Sequence, residues 1–182
     1  MSDSAIPAPD LDASKTQRLA RGEVIVENET VAGVSAPMVR AYARIDAPPE
    51  RVWPLIDQTA NYERTMVGVK RSEELKRDGN RIHAKVTVGM PFPLRDLTSV
   101  TEAVHTVEPG VAYQRRWKLL SGDYQRNEGS WALFPFPGAE GATLVRYELC
   151  VEPNIRIPKK LQNFAQTRTV PKLIDRLREL SR

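Results

Sequence analysis

The chain has 182 residues, 41% of them hydrophobic, with 27 Lys and Arg against 23 Asp and Glu for a net charge of +4. That length suits one domain with a real core, and no run approaches the ~20 apolar residues that a membrane-spanning helix needs. The basic residues are scattered among acids, so no nucleic-acid footprint is expected, while the single cysteine, Cys150, excludes an intramolecular disulfide and fits a cytoplasmic chain.

The opening residues carry no apolar signal-peptide core. Residues 1 to about 14, rich in Ala, Pro, Asp and Ser, read as a flexible arm, followed by a short helix over Ser14 to Arg21. EVIVE, Glu23 to Glu27, alternates like a strand, and either adds to a sheet edge or lies across the sheet. Residues 1–37 are thus an arm ahead of a domain at 38–182. MVRAYARI, Met38 to Ile45, is the first strand with clear alternation. In DAPPERVWPLIDQTANYERT, Pro48 and Pro49 suit a first helical turn, where a missing N–H costs nothing, and Glu50 suits the positive helix end. Pro54 keeps that helix short, and a second short helix is expected over Asn61 to Met66.

From Val67 the period becomes two. VGVKRSEELKR and RIHAKVTV flank Asp78-Gly79-Asn80, a hairpin signal, and Ile82, Ala84, Val86 and Val88 share an apolar face. GMPFPLRD, Gly89 to Asp96, interrupts the sheet, because its two prolines do not fit a central strand. Strands resume at LTSVTEAVHTV, VAYQRRWKLL, DYQRNEGSWALF and ATLVRYELCV, joined by the turn sequences EPG, SG and PFPGAEG. The last element is an amphipathic helix from near Pro158 to about Leu180, with Pro171 in its middle. An interior proline costs about 3 kcal/mol, so a kink there invites a role in shaping or gating a cavity mouth. One strand, two short helices, six antiparallel strands and a long helix make an α+β chain with the helix on one sheet face.

Three stretches resemble the START/Bet v 1-like superfamily (SRPBCC): IDAPPERVWPLID, MPFPLRD, and the long GSWALFPFPGAEGATLVRYELCVEPNIRIPKKLQNFAQTRTVPKLIDRL. The last carries a Trp, a turn, a Thr-x-Val-x-Tyr strand, a Pro and a long helix with an internal Pro, in the order START-like proteins show. MPFPLRD is more compact than the usual START segment. The likeness runs from about Met38 to Leu180 and extends to the bacterial polyketide cyclase and coenzyme Q-binding subfamily. It implies a helix-grip fold, a curved antiparallel sheet of about seven strands around the C-terminal helix, with a cavity between them for a sterol, phospholipid, quinone or polyketide.

The residues add their own detail. Val111, Tyr113, Arg115, Trp117 and Leu119 share one side of their strand, an apolar side that faces inward with Arg115 in its middle. A buried guanidinium needs a partner; an internal carboxylate such as Asp96 or a Glu, or an anionic ligand group, would serve. Thr143, Val145, Tyr147, Leu149 and Val151 form another inward face, so the Tyr147 hydroxyl also seeks a partner, and Trp131 and Leu133 line the same interior. On the C-terminal helix, Leu161, Phe164, Ala165 and Arg168 fall on one stripe before Pro171, and Leu173, Ile174, Leu177 and Leu180 continue it. Met90, Phe92 and Leu94 either cover the core or form a cavity rim, and Arg95 with Asp96 reads as a structural ion pair. The candidate ligand-binding set is Phe92, Tyr113, Arg115, Trp117, Trp131, Tyr147, Leu161, Phe164 and Arg168.

The residues offer little conventional chemistry. His83 and His105 are the only histidines, and no Cys/His cluster, HExxH, P-loop, GxGxxG or GxSxG is present, so no metal or cofactor is expected. Cys150 lies on the Arg146/Glu148 face as an inert thiol. The leading expectation is a carrier or sensor for a hydrophobic small molecule, with apolar walls for affinity and Arg115 or Tyr147 for orientation. The alternative is a polyketide aromatase/cyclase that uses the same cavity, with Tyr113, Arg115 and Tyr147 as donors. The basic balance also suits transient contact with an anionic membrane surface. The sequence does not specify an oligomeric state.

Overall fold

The computed structural model describes residues 5–164 and 168–182, with side chains described for all of these except 162–164. Eight strands form one antiparallel sheet: β1 (Ile25–Glu29), β2 (Met38–Ile45), β3 (Val69–Asp78), β4 (Arg81–Val88), β5 (Leu97–Glu108), β6 (Ala112–Gly122), β7 (Tyr124–Pro135) and β8 (Thr143–Pro153). Their order across the sheet is β1-β2-β8-β7-β6-β5-β4-β3. Six of them run consecutively as hairpins, as the turn sequences predict. The β3–β4 turn closes on an Asp78↔Arg81 pair, and Gly79 there takes a φ of +58°, the left-handed value glycine accepts most easily.

Helices α2 (Pro49–Val52), α3 (Pro54–Asp57) and α4 (Tyr62–Thr65) follow β2. Pro49 and Pro54 each occupy a first helical turn, which splits the stretch into short pieces. Helices α5 (Lys159–Phe164) and α6 (Val170–Leu180) end the chain. The chain is an α+β helix-grip fold, with eight strands rather than seven because EVIVE adds to the sheet edge: Val26 pairs with Ala41 and Ile25 with Tyr42.

The inner face of the sheet carries the main core. Val39, Ala41, Ala43 and Ile45 of β2, with Trp131, Leu133, Val145 and Tyr147 of β7 and β8, pack against Val52, Trp53 and Ile56 and against Val170, Leu173, Ile174 and Leu177 of α6. The α6 residues recur at intervals of three and four, which places them on one helical stripe. Pro171 is the second residue of α6 as bounded. Residues 168–169 just ahead form a π-helical turn, and 165–167 lie outside the described residues.

A second core covers the other face. Helix α1 (Ala13–Ala20) and the segment before it bring Leu19 and Ile6 onto Tyr42, Phe134 and Leu144, together with Ile25 of β1. The start of β1 and the residue before it contribute to both cores: Val24 and Val26 pack against the inner core while Ile25 joins the outer one. Arg178 of α6 ties the arm to the body through hydrogen bonds to the carbonyls of Gly22 and Arg44, each 3.0 Å long. Among the described residues no helix is long and apolar enough to cross a membrane.

Candidate functional site

Antiparallel register places the candidate residues on the inner face. The pairs His105↔Arg115, Arg115↔Trp131 and Trp131↔Tyr147 line up across four adjacent strands. Side chains of directly paired residues emerge on the same face, so one row crosses the sheet from β5 to β8.

Arg115 is 3% exposed and lies at the centre of a buried polar cluster. Its Nη1 donates to His105 Nε2 at 2.8 Å and, longer, to the Asp57 carbonyl at 3.5 Å; its Nη2 donates to Thr59 Oγ1 at 2.7 Å. The Tyr62 ring lies beneath the guanidinium, 5.5 Å from its centroid. No described carboxylate forms an ion pair with Arg115. The expected partner Asp96 is engaged elsewhere, with Lys70 at 3.1 Å, and Arg95 pairs with Asp123 at 3.0 Å. Arg95 and Asp96 are thus two ion pairs with other residues, not one with each other, because adjacent strand-end side chains point apart. A guanidinium has five N–H donors. Nothing among the described residues accepts from the two that remain on Arg115.

His105 must be neutral in this arrangement. Arg115 only donates, so Nε2 of His105 accepts and the ring proton sits on Nδ1. Burial, and then the charges of Arg115 and Arg77, push its pKa down to about 4. Asp57 balances part of the local charge. Burial raises its carboxyl above the ordinary value, the charges of Arg77 and Arg115 oppose that rise, and its Oδ1 is buried with no hydrogen-bond partner. Arg77 is itself held by Glu74 through contacts of 2.7 and 2.9 Å.

An aromatic wall stands beside this cluster. The Trp131 and Tyr147 rings are 4.2 Å apart, and Trp117 stacks on Tyr147 at 6.3 Å. Trp117 crosses over Gly129, where an added Cβ would meet its ring at 2.6 Å, and donates from Nε1 to Asn127 Oδ1 at 3.0 Å. Asn127 in turn donates to Ser99 at 3.2 Å. Trp131 is buried and Trp117 half-buried, with Leu119, Asn127 and Leu149 half-buried around it. The inner face is therefore closed around Arg115 and partly open around Trp117. Burial raises the Tyr147 phenol well above its usual value, and among the described residues nothing accepts from its hydroxyl.

The other candidates are distributed differently. Tyr113 is buried and donates to Glu50 Oε1 at 3.0 Å, closing the helix side of the core. Leu161 of α5 is half-buried, Arg168 is exposed, and the side chain of Phe164 lies outside the described residues. Phe92 is 96% exposed on the β4–β5 loop. The fold adds His105, Thr59, Asp57, Tyr62 and Asn127 to the neighbourhood of Arg115 and Trp117. His105 was legible in outline: it alternates with Thr101 and Ala103 on the buried face of β5. Among the described residues no group of three or more His, Cys, Asp or Glu is placed to hold a metal ion.

A family model described as "Polyketide cyclase / dehydrase and lipid transport" matches residues 45–178. No curated protein matches the chain. Among solved structures, the STAR-related lipid transfer protein of Xanthomonas axonopodis superposes with a TM-score of 0.74 at 20% identity, over 87% of this chain and 93% of that one. Human StAR-related lipid transfer protein 5 gives 0.76 at 10% identity over 88% and 82%. The Zhui aromatase/cyclase from Streptomyces sp. R1128 gives 0.59 at 14% identity over 81% and 94%. At these identities the structural likeness establishes the shared fold.

Proposed function

We propose, for a chain that belongs to the polyketide cyclase/dehydrase and lipid-transport family, that the inner face of the sheet binds a hydrophobic small molecule with a polar end, as a carrier or sensor. One juxtaposition supports this reading: an aromatic wall with Trp131 and Tyr147 buried and Trp117 half-buried, beside a buried Arg115 with two N–H donors that nothing among the described residues accepts from. Rings and aliphatic side chains give affinity in proportion to the apolar surface they cover, and a few fixed polar groups orient the ligand. Arg115 and the Tyr147 hydroxyl would meet a carbonyl, phosphate or carboxylate. A lipid, a quinone and a polyketide-like compound all combine such an end with apolar bulk. The names of the solved neighbours, two lipid-transfer proteins and an aromatase/cyclase, agree with that range. Leu161, Phe164 and Arg168 belong to this proposal as the helix side of the site, and Phe92 as its rim. The lone cysteine fits the reducing cytoplasm as the compartment.

One observation favours a second reading, an aromatase/cyclase. Asp57, with its raised carboxyl pKa and partnerless Oδ1, and neutral His105 flank Arg115. Such groups move protons when a substrate is held against them.

The test is native mass spectrometry of protein purified from its own host, followed by extraction of whatever is bound, with Trp fluorescence titration against a phospholipid, a quinone and an aromatic polyketide. A bound mass, or saturable quenching by one of these, is the expected result. The absence of both a bound mass and any quenching overturns the reading. Turnover of the polyketide that is lost in Arg115→Met and Asp57→Asn would select the enzyme over the carrier.

A further inference from the structure

We propose that the outer face of the sheet holds a second ligand site, a well over the fork between β6 and β7 that takes a small organic anion, with Arg116 as the residue that meets its charged oxygens. The register builds it. Arg81↔Val104, Val104↔Arg116, Arg116↔Ser130, Ser130↔Glu148 and Glu148↔Arg40 are successive cross-strand pairs, so their side chains form one row from β4 to β2. Arg116 follows Arg115 on the same strand, so this row lies on the face opposite the aromatic wall. The ladder between β6 and β7 ends at Trp117↔Gly129, while β6 stays paired with β5 as far as Gly122 and β7 pairs with β8 from Tyr124. Trp117, Lys118, Glu128 and Gly129, on either side of that fork, line a well of about 460 Å³ together with the middle of the row. That volume suits a small molecule. Ser130, 2% exposed, and the half-buried Val104 are its short side chains; Arg81, Lys118, Glu128 and Met38 are its long ones. A short centre within a long rim makes this part of the face concave.

The charges select the ligand. Each carboxylate of the lining already has a cation: Glu102 takes Arg81 at 2.8 Å and Lys118 at 3.5 Å, Glu128 takes Arg126 at 2.7 Å, and Glu148 takes Arg40 at 2.9 Å. Arg126 and Arg40 come from outside the lining. Arg116 is exposed, and among the described residues its guanidinium makes no hydrogen bond or ion pair. The positions directly opposite it, Val104 and Ser130, carry no charge. The well therefore offers an unmatched planar set of N–H donors, which fits a carboxylate or a similar oxyanion in a bidentate pair. Val104 and Met38 supply apolar surface for the rest of such a ligand. The arm leaves this place open. It covers the next row, where Ala132 and Tyr42 join the outer core and Arg146 donates to the Pro7 carbonyl at 3.0 Å. The inference stands apart from the carrier reading, because the two sites use opposite faces of the sheet.

The full chain, with isotope-labelled methionine methyl groups, is titrated by NMR with benzoate and with its neutral isostere benzamide. Met38 lines the well and Met66 lies in the inner core, so the two methyls report the two faces separately. Saturable movement of the Met38 signal with benzoate is expected, with Met66 unmoved. Benzamide is expected to bind at least about tenfold more weakly, for loss of a charge-assisted pair. Arg116→Gln is expected to weaken benzoate by about tenfold or more, and Arg116→Lys, which keeps the charge without the planar pair of donors, by less. Val104→Trp, which fills the well, is expected to abolish the Met38 response. Arg116 is exposed, so an unchanged urea midpoint serves as the folding control for Arg116→Gln. A Met38 signal that does not move with benzoate overturns the proposal. Movement of Met66 in place of Met38 assigns benzoate to the inner face and overturns it as well, as does equal benzoate affinity of the wild type and Arg116→Gln.

Discussion

Arg115 donates to His105 across 2.8 Å inside the sheet, and among the described residues neither forms an ion pair with a carboxylate. A cation that only donates has been paired with an imidazole that can accept only while neutral. The arrangement makes the protonation state of His105 part of the fold.

Its consequence is a pH dependence. The native pKa of His105 is about 4, against an ordinary 6.5 in the unfolded chain. Between those values the unfolded state binds the proton and the native state does not. The contribution is therefore complete above pH 6.5 and is lost progressively as pH falls toward 4. At roughly 1.4 kcal/mol per pH unit, the loss is at most about 3 kcal/mol. Urea denaturation at stepped pH values checks this. His105→Gln, which keeps an acceptor for Arg115 but does not titrate, is expected to flatten the slope.

Arg115→Met separates stability from recognition. Removing the guanidinium leaves Thr59 and His105 each without a hydrogen bond, a cost of about 1–3 kcal/mol, partly offset because a buried charge disappears. Affinity for a ligand with an anionic or carbonyl end is expected to fall by about tenfold or more, as for a charge-assisted hydrogen bond. Affinity for a purely apolar analogue is expected to change little. Isothermal titration with a matched pair of ligands, with and without the polar end, measures the split.

Gly129 is there for Trp117. An alanine Cβ at this position would stand 2.2 Å from the Glu148 carbonyl oxygen and 2.6 Å from the Trp117 ring. Backbone cannot yield as a flexible side-chain tip can, so Gly129→Ala is expected to cost about 1–3 kcal/mol. It should also displace the indole from Tyr147 and Asn127. Loss of near-ultraviolet circular dichroism, together with weakened ligand quenching of Trp fluorescence, would register the displacement.

The arm is expected to be structural. Leu19 is fully buried against the outer face, and Leu19→Ala is expected to cost about 2–5 kcal/mol in chemical denaturation. Removal of residues 1–37 uncovers Tyr42, Phe134 and Leu144 and is expected to produce binding of a hydrophobic dye. A shortened chain as stable as the full one, with no dye binding, would show that 38–182 is independent of the arm.

Much of this architecture was legible in the sequence because it is local. Turn residues such as Asp78-Gly79-Asn80 and Glu108-Pro109-Gly110 punctuate the hairpins, and period-two alternation states which side chains share a face. Once the β5–β6 hairpin closes on Glu108↔Ala112, antiparallel counting alone sets His105 opposite Arg115. Likewise the β7–β8 pairing of Pro135 with Thr143 sets Trp131 opposite Tyr147. Tertiary structure decided what counting along one chain cannot reach. Thr59, Asp57 and Tyr62 come to Arg115 from the helical stretch after β2, a distance of more than fifty residues bridged only by packing. EVIVE has apolar residues on both sides because two cores enclose it, and alternation within a single strand cannot report what lies on either face. Burial is a property of the assembled sheet, and that is where the identity of Arg115's partners was settled.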